Sequence, residues 1–196
     1  WSESDGLPDL IVDRCADYPV VQTLTIAMEC RLPIILNVLE DLLSPRGIIV
    51  RNDSPMLAAE GISPSVRVAR GQQPEPFATR SGSVQFMIDL QTGQKTGLYL
   101  DQLDNYAAVA RFARGRRVLD CFCNQGGFAL ACALAGASEV TAVDVSQDAM
   151  DAVARNARLN GVSVQCVTDN AFDFLKKEAA LVRDGGEHKW DLIILD

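Results

Sequence analysis

Histidine is almost absent from this chain: among 196 residues there is one, His188. The six cysteines, Cys15, Cys30, Cys121, Cys123, Cys132 and Cys166, form no CxxC pair and share no paired spacing with histidine, so the ligand set of a zinc site is missing. Cys121 and Cys123 are expected to face apart, and reduced thiols in a cytoplasmic protein are the simplest reading of all six. No run is long and apolar enough to span a bilayer, and no basic-then-apolar segment opens the chain, which begins at Trp1. Basic residues are outnumbered, 18 Lys and Arg against 26 Asp and Glu, for a net charge of −8. Such a balance argues against the broad basic face that phosphate binding needs. The local exception is "RFARGRR", where Arg111, Arg114, Arg116 and Arg117 crowd together. That cluster fits a solvated helix end as well as it fits an RNA contact.

What is present is apolar material: 48% of the residues are hydrophobic, enough for at least one sizeable core. The first half reads as a small α/β unit. "LIVDRCADYPVVQTLTI" gives two β-rich runs broken at Ala16–Pro19, a hairpin pattern. In "RLPIILNVLEDLL", Leu32, Ile35, Leu36, Leu39 and Leu43 share one helical face, with Pro33 in the first turn where its missing N–H costs nothing. "RGIIVRND" is a short strand, and "SVQFMIDLQTG" is another. Between them, residues 54–83 are rich in Pro, Gly, Ser and Gln and read as loop.

The second half changes rhythm. Strand patterns at 117–122, 139–144, 163–168 and 190–195 alternate with helix patterns at 104–113, 127–136, 147–160 and 171–182. This alternation predicts a doubly wound parallel sheet with helices on both faces, and ligands in such sheets sit at the carboxyl ends of the strands. The expected division is a small α/β domain over 1–90 and a Rossmann-like domain over 91–196.

The first strand of that sheet, "VLDCF", runs into "CNQGGF". Gly126 and Gly127 allow φ > 0 or close approach of the backbone to a ligand. Asp144 ends the second strand about 20 residues on, where a carboxylate can accept both hydroxyls of a ribose. A dinucleotide would want G-x-G-x-x-G and bare backbone around its pyrophosphate. This turn lacks that spacing and carries Asp120, a charge unwelcome beside phosphate but well placed for an ammonium. S-adenosylmethionine has an ammonium, a sulfonium, a ribose and an adenine, and no phosphate, so it fits better than NAD. At the end of the third strand, Asp169 or Asn170 could meet the adenine amino group, Asn170 by its carbonyl oxygen, with Ala171 and Phe172 walling the base. The same residues suit a helix N-cap. The fourth strand, "WDLIILD", brings Asp196 to the same edge.

These residues resemble a family. "SESDGLPDLIVDR", "TGQKTGLYLDQLDN" at 92–105, "VLDCFCNQGGFAL", "VTAVDVSQDAMDAVARNARLNG" and "NAFDFL" together resemble the class I S-adenosylmethionine-dependent methyltransferases that make 5-methylcytosine in large-subunit ribosomal RNA, typically with a PUA domain in front. The resemblance runs through nearly the whole chain in order. It implies that Asp120, Asn124, Gly126 and Gly127 cradle the methionine end of the cofactor, that Asp144 holds the ribose and that Asn170 meets the adenine. Lys95, Tyr99 and Gln102 would cover the cofactor or shape the pocket, and Asp196 would lie near the transfer site. The implied partner is ribosomal RNA in the cytoplasm, with no metal and no membrane.

Two departures stand out. Leu103 and Tyr106 occupy positions where the family shows arginine. The family also continues its last strand as Asp-Pro-Pro and places a nucleophilic cysteine further on, whereas this sequence ends at Asp196. Cytosine C5 attacks a methyl group only after a thiolate has added to C6. Cys121 and Cys123 lie in a buried strand pattern and are not assigned that role. The sequence is therefore expected to be a piece of a longer protein that binds cofactor without methylating. Its last strand would be a sheet edge open to dimerisation or aggregation. The alternatives are an NAD-dependent oxidoreductase, a methyltransferase for another acceptor, and a non-catalytic RNA-binding module with a vestigial pocket.

Overall fold

The computed structural model describes residues 1–53, 55–91, 98–187 and 189–196. Its packing divides the chain into two units, Trp1–Thr79 with Ile88–Tyr99, and Arg80–Met87 with Leu100–Asp196.

In the first unit, β1 (Leu10–Cys15) and β2 (Tyr18–Thr23) form the expected hairpin, with Ala16 left-handed in its turn. A short helix α1 (Ile26–Glu29) and then α2 (Leu32–Leu43) carry the chain over to β3 (Gly47–Asn52), which lies parallel to β2. Parallel pairing requires such a crossover. The stripe read from the sequence is what α2 buries: Leu32, Leu36 and Leu39 pack on Leu10, Val12, Val21, Ile48 and Val50.

The segment 54–83, expected as loop, holds more than that. It contains α3 (Pro55–Ala59), β4 (Ser65–Gly71), which pairs antiparallel with β3 in the order β1-β2-β3-β4, and β5 (Phe77–Ser81). As an edge strand β4 leaves every residue exposed or half-buried, so it has no apolar face to announce it. Its stability comes from the ladder to β3, which a single-strand reading cannot see. β5 forms a two-stranded sheet with β6 (Val84–Ile88).

The second unit follows the alternation read from the sequence. After α4 (Leu103–Ala110) come β7 (Arg117–Cys121), α5 (Gly127–Leu134), β8 (Glu139–Asp144), α6 (Gln147–Asn160), β9 (Gln165–Thr168), α7 (Ala171–Arg183) and β10 (Leu192–Leu195). The four strands are parallel, in the order β10-β7-β8-β9. This is the Rossmann-like doubly wound arrangement, with its switch point between β7 and β10, where a ligand crevice opens at the carboxyl ends. On one face Val118, Val140, Ala142 and Ile194 pack with Phe128, Met150 and Val153 of α5 and α6. On the other, Leu119, Cys121 and Val143 pack with Ala171, Phe174 and Leu175 of α7. Cys121 and Cys123 do join clusters on opposite faces. Strand alternation would put residues two apart on one face. Their separation comes instead from Phe122, whose φ of 60° ends the strand. No helix among the described residues is long and apolar enough to cross a membrane.

Candidate functional site

The turn from β7 into α5 is wound through three left-handed residues, Phe122 (φ 60°), Asn124 (φ 47°) and Gly126 (φ 83°). For the two that carry side chains this conformation costs about 1–2 kcal/mol each, so surrounding bonds must hold it. They do. The Asn124 N–H donates to Asp144 Oδ2 (3.0 Å), the Cys123 N–H to the Val143 carbonyl (3.2 Å) and the Gly126 N–H to the Cys123 carbonyl (2.7 Å). Gly126 suits its left-handed φ, and a Cβ there would also press on Val153 of α6, 3.0 Å from Cγ2.

Gly127 is required for a different reason from the one read in the sequence. A Cβ on it would clash with the phenol end of Tyr106, 2.6 Å from both Cε2 and Oη. The Tyr106 ring also meets Phe128 edge-on, with centroids 4.7 Å apart. The missing side chain of Gly127 thus admits Tyr106 of α4. This is the position where the resembled family shows arginine.

Asp120 is fully buried at the carboxyl end of β7. Its Oδ2 accepts from the Ala129 N–H in the first turn of α5 (2.9 Å), while Oδ1 has no hydrogen-bond partner among the described residues. A buried carboxylate oxygen without a donor is costly, and cationic ligands supply what it lacks. Burial pushes the Asp120 carboxyl up to about 7 against the pull of the Ala129 N–H, and the negative charges of Asp196 and Asp144 push the same way. The three carboxylates therefore converge on one edge. Asp196 is exposed there, following Leu195, which lies opposite Cys121 in the β10–β7 pairing.

Asp144 is half-buried, and both its oxygens are in use: Oδ1 accepts from the Ser146 N–H (3.0 Å) and Oδ2 from the Asn124 N–H. Each oxygen keeps a second lone pair for a ligand hydroxyl. Its backbone carbonyl accepts from the Asp169 N–H (3.1 Å), which brings the end of β9 alongside. There Asn170 caps α7, its Oδ1 accepting from the Phe172 and Asp173 N–H groups (3.0 and 3.3 Å). The carbonyl oxygen offered in sequence to an adenine amino group is thus engaged by the cap, and the atom left to face a ligand is Nδ2, a donor. Asp169 is also occupied: Oδ1 takes the Asn170 N–H, and Oδ2 pairs with Lys177 at 2.7 Å, which holds its carboxyl below the usual range. Phe172 and Phe122 form an exposed, edge-on pair beside it, with centroids 5.2 Å apart.

Asp120, Asn124, Gly126, Gly127, Asp144, Asn170 and Asp196 are therefore brought to one sheet edge. Lys95 lies outside the described residues. Tyr99 is half-buried in the first unit. Gln102, in the second, accepts from Asn105 Nδ2 through Oε1 (2.8 Å). Residues not singled out for the site in sequence include Tyr106, Phe122, Ser146, Val153 and Asn156. Asn156 did carry a signal, as a polar residue on the helix face of Met150, Val153 and Ala157. The thiols near the turn are inert hydrophobes: burial pushes Cys121 up to about 11 and Cys132 up to about 12, and raises Cys123 further.

Residues 65–196 match the model of the S-adenosylmethionine-dependent methyltransferase family. Ribosomal RNA large subunit methyltransferase I of Aeromonas hydrophila is 40% identical over the whole of this chain, which covers 49% of that relative. The chain spans about half the length of the curated relatives it matches. Among solved structures, a candidate SAM-dependent methyltransferase from Streptococcus mutans superposes with a TM-score of 0.84 at 20% identity, covering all of this chain and 50% of that one. A second candidate methyltransferase, SMU.776, solved with S-adenosylhomocysteine, gives a TM-score of 0.81 at 20% identity, covering all of this chain and 49% of that one. At that identity the two structures show the fold.

Proposed function

The chain belongs to the S-adenosylmethionine-dependent methyltransferases, and on that premise we propose that it forms the cofactor-binding part of an enzyme that methylates C5 of a cytosine in large-subunit ribosomal RNA. One observation carries the cofactor reading: the fully buried Oδ1 of Asp120 has no partner among the described residues, at the end of a strand where a left-handed turn and Asp144 converge. An ammonium satisfies that oxygen. A pyrophosphate would face three carboxylates, which disfavours NAD.

The residues fit the cofactor part by part. Asp120 and the turn Asn124–Gly126 take the methionine end, with Gly127 admitting the supporting Tyr106. Asp144 accepts the ribose hydroxyls, and Asn170 Nδ2 donates to a ring nitrogen of the adenine. Tyr99, Gln102 and Lys95 remain proposed as the covering segment. When bound, the cofactor supplies an electrophilic methyl on a sulfonium. Asp196, at the mouth of the same edge, positions the amine or the acceptor base.

The acceptor rests on the family resemblance and on the name of the 40% identical relative. An RNA-facing role for the first unit, a cofactor-binding role for the second, and a cytoplasmic location go with that acceptor. None of the cysteines near the turn serves as the thiolate that adds to C6, since each is buried with a raised pKa. Methyl transfer from tritiated S-adenosylmethionine to large-subunit ribosomal RNA, followed by digestion to nucleosides, tests the reading. Label is expected in 5-methylcytidine from the full product of the gene, and none from these 196 residues alone. Label in another nucleoside would move the acceptor. Transfer by the 196 residues alone would reopen the assignment of the thiolate.

A further inference from the structure

Asn156 is 1% exposed on the apolar face of α6, where a leucine or methionine would pack without a desolvation cost. Both ends of its amide are used. Oδ1 accepts from the Met87 N–H in β6 (2.9 Å), and Nδ2 donates to the carbonyl of Gln125 (3.2 Å), the residue between left-handed Asn124 and Gly126. One turn earlier on the same helix face stands Val153, whose Cγ2 a Cβ on Gly126 would approach to 3.0 Å. One turn later, Asn160 also holds β6: Oδ1 accepts from the Gln85 N–H (2.8 Å), and Nδ2 donates to the Gln85 carbonyl (2.7 Å) and to the backbone carbonyl of Asn156 (2.7 Å). The two asparagines thus take the place of a neighbouring strand for β6, but only Asn156 also reaches the turn.

We propose that Asn156 is a positioning residue for the cofactor turn: anchored by Met87, it fixes the orientation of the Gln125 carbonyl and so holds Asn124 and Gly126 in the shape that receives the methionine end. The inference rests on the reading of this turn as the cofactor site. The peptide that carries the Gln125 carbonyl leads into left-handed Gly126, where glycine tolerates more than one peptide orientation, and a donor fixed on that carbonyl selects one. Val153 sets the closeness of the turn and Asn156 its orientation.

The test compares Asn156→Asp with Asn160→Asp. Each keeps the acceptor for a β6 N–H and loses the donor, but only the first places an oxygen against the Gln125 carbonyl. Calorimetry with S-adenosylhomocysteine should show Asn156→Asp weakened by about tenfold, and Asn160→Asp changed by less than about twofold, whatever either costs in melting temperature. Should Asn156→Asp fail to fold, amide hydrogen exchange of the unaltered protein decides. Saturating S-adenosylhomocysteine is expected to slow exchange at Met87 severalfold and at Gln85 less. Wild-type affinity in Asn156→Asp, equal losses in both variants, or an unprotected Met87 would overturn the proposal. Failure of the unaltered protein to bind S-adenosylhomocysteine would instead remove the cofactor reading, and the inference with it.

Discussion

The ring of Tyr106 fills the space that a side chain on Gly127 would need: an added Cβ would lie 2.6 Å from the ring's Oη. Helix α4 is thereby seated on the first residue of α5, directly behind the cofactor turn. Gly127→Ala should cost about 1–3 kcal/mol by overpacking. In a Tyr106→Ala background the same change should cost less than about 0.5 kcal/mol, because alanine is the better helix former and the obstacle is gone. Urea unfolding of the four proteins measures the coupling, and additive effects would show that the ring does not impose the glycine.

On the proposed reading Asp144 serves both the ligand and the turn. Removing its carboxylate deprives two ribose hydroxyls of an acceptor and frees the Asn124 N–H from its 3.0 Å bond. Asp144→Ala is expected to weaken S-adenosylhomocysteine binding by roughly tenfold to a hundredfold. Asp148→Ala, at an exposed site in the first turn of α6, should change it by less than about twofold. Equal losses from the two would displace the ribose from the end of β8.

The Asp120 carboxyl, raised by burial from 3.8 to about 7, makes both stability and affinity depend on pH. Between those values the folded protein holds a proton that the unfolded chain has released. Stability without ligand should therefore fall as pH rises from about 4 to about 7 and level off above that. An ammonium ligand prefers the ionised carboxylate, so affinity should rise over the same range and flatten above about 7. Asp120→Asn keeps an acceptor for the Ala129 N–H and cannot ionise. It should melt at a higher temperature than the unaltered protein at pH 8, and bind S-adenosylhomocysteine more weakly with no slope below pH 7. A variant that retains the wild-type pH profile would assign the titration to another group.

Asn170 separates capping from recognition. Asn170→Asp keeps an oxygen for the Phe172 and Asp173 N–H groups, so α7 should lose little stability, whereas Asn170→Ala should cost about 1 kcal/mol. Both remove the Nδ2 donor and should weaken S-adenosylhomocysteine binding. Tighter binding by Asn170→Asp would show that the adenine amino group is the partner after all.

The second unit was the more legible in sequence, because β7, β8 and β9 each run into a helix pattern with its own punctuation. Gln147–Asn160 has the bounds read from its pattern, with Ser146 capping it at one end and left-handed Gly161 at the other. The carboxylates could be placed at one edge of the sheet because their positions follow from strand ends alone. Two kinds of feature were hidden. β4 lies within a segment punctuated by proline and glycine and shows arginines on an edge, so only its pairing with β3 makes it a strand. The contacts of Tyr106 with Gly127 and of Asn156 with Gln125 join elements whose packing no local pattern states.

On the proposed reading the turn between β7 and α5, with Asp120 behind it and Asp144 beside it, receives a cationic nucleoside and not a dinucleotide. Titration calorimetry of these 196 residues at pH 8, with S-adenosylhomocysteine and with NADH, tests this most directly. The account predicts one site for S-adenosylhomocysteine, weakened in Asp120→Asn and in Asp144→Ala, and no heat from NADH. Saturable binding of NADH with none of S-adenosylhomocysteine would contradict it.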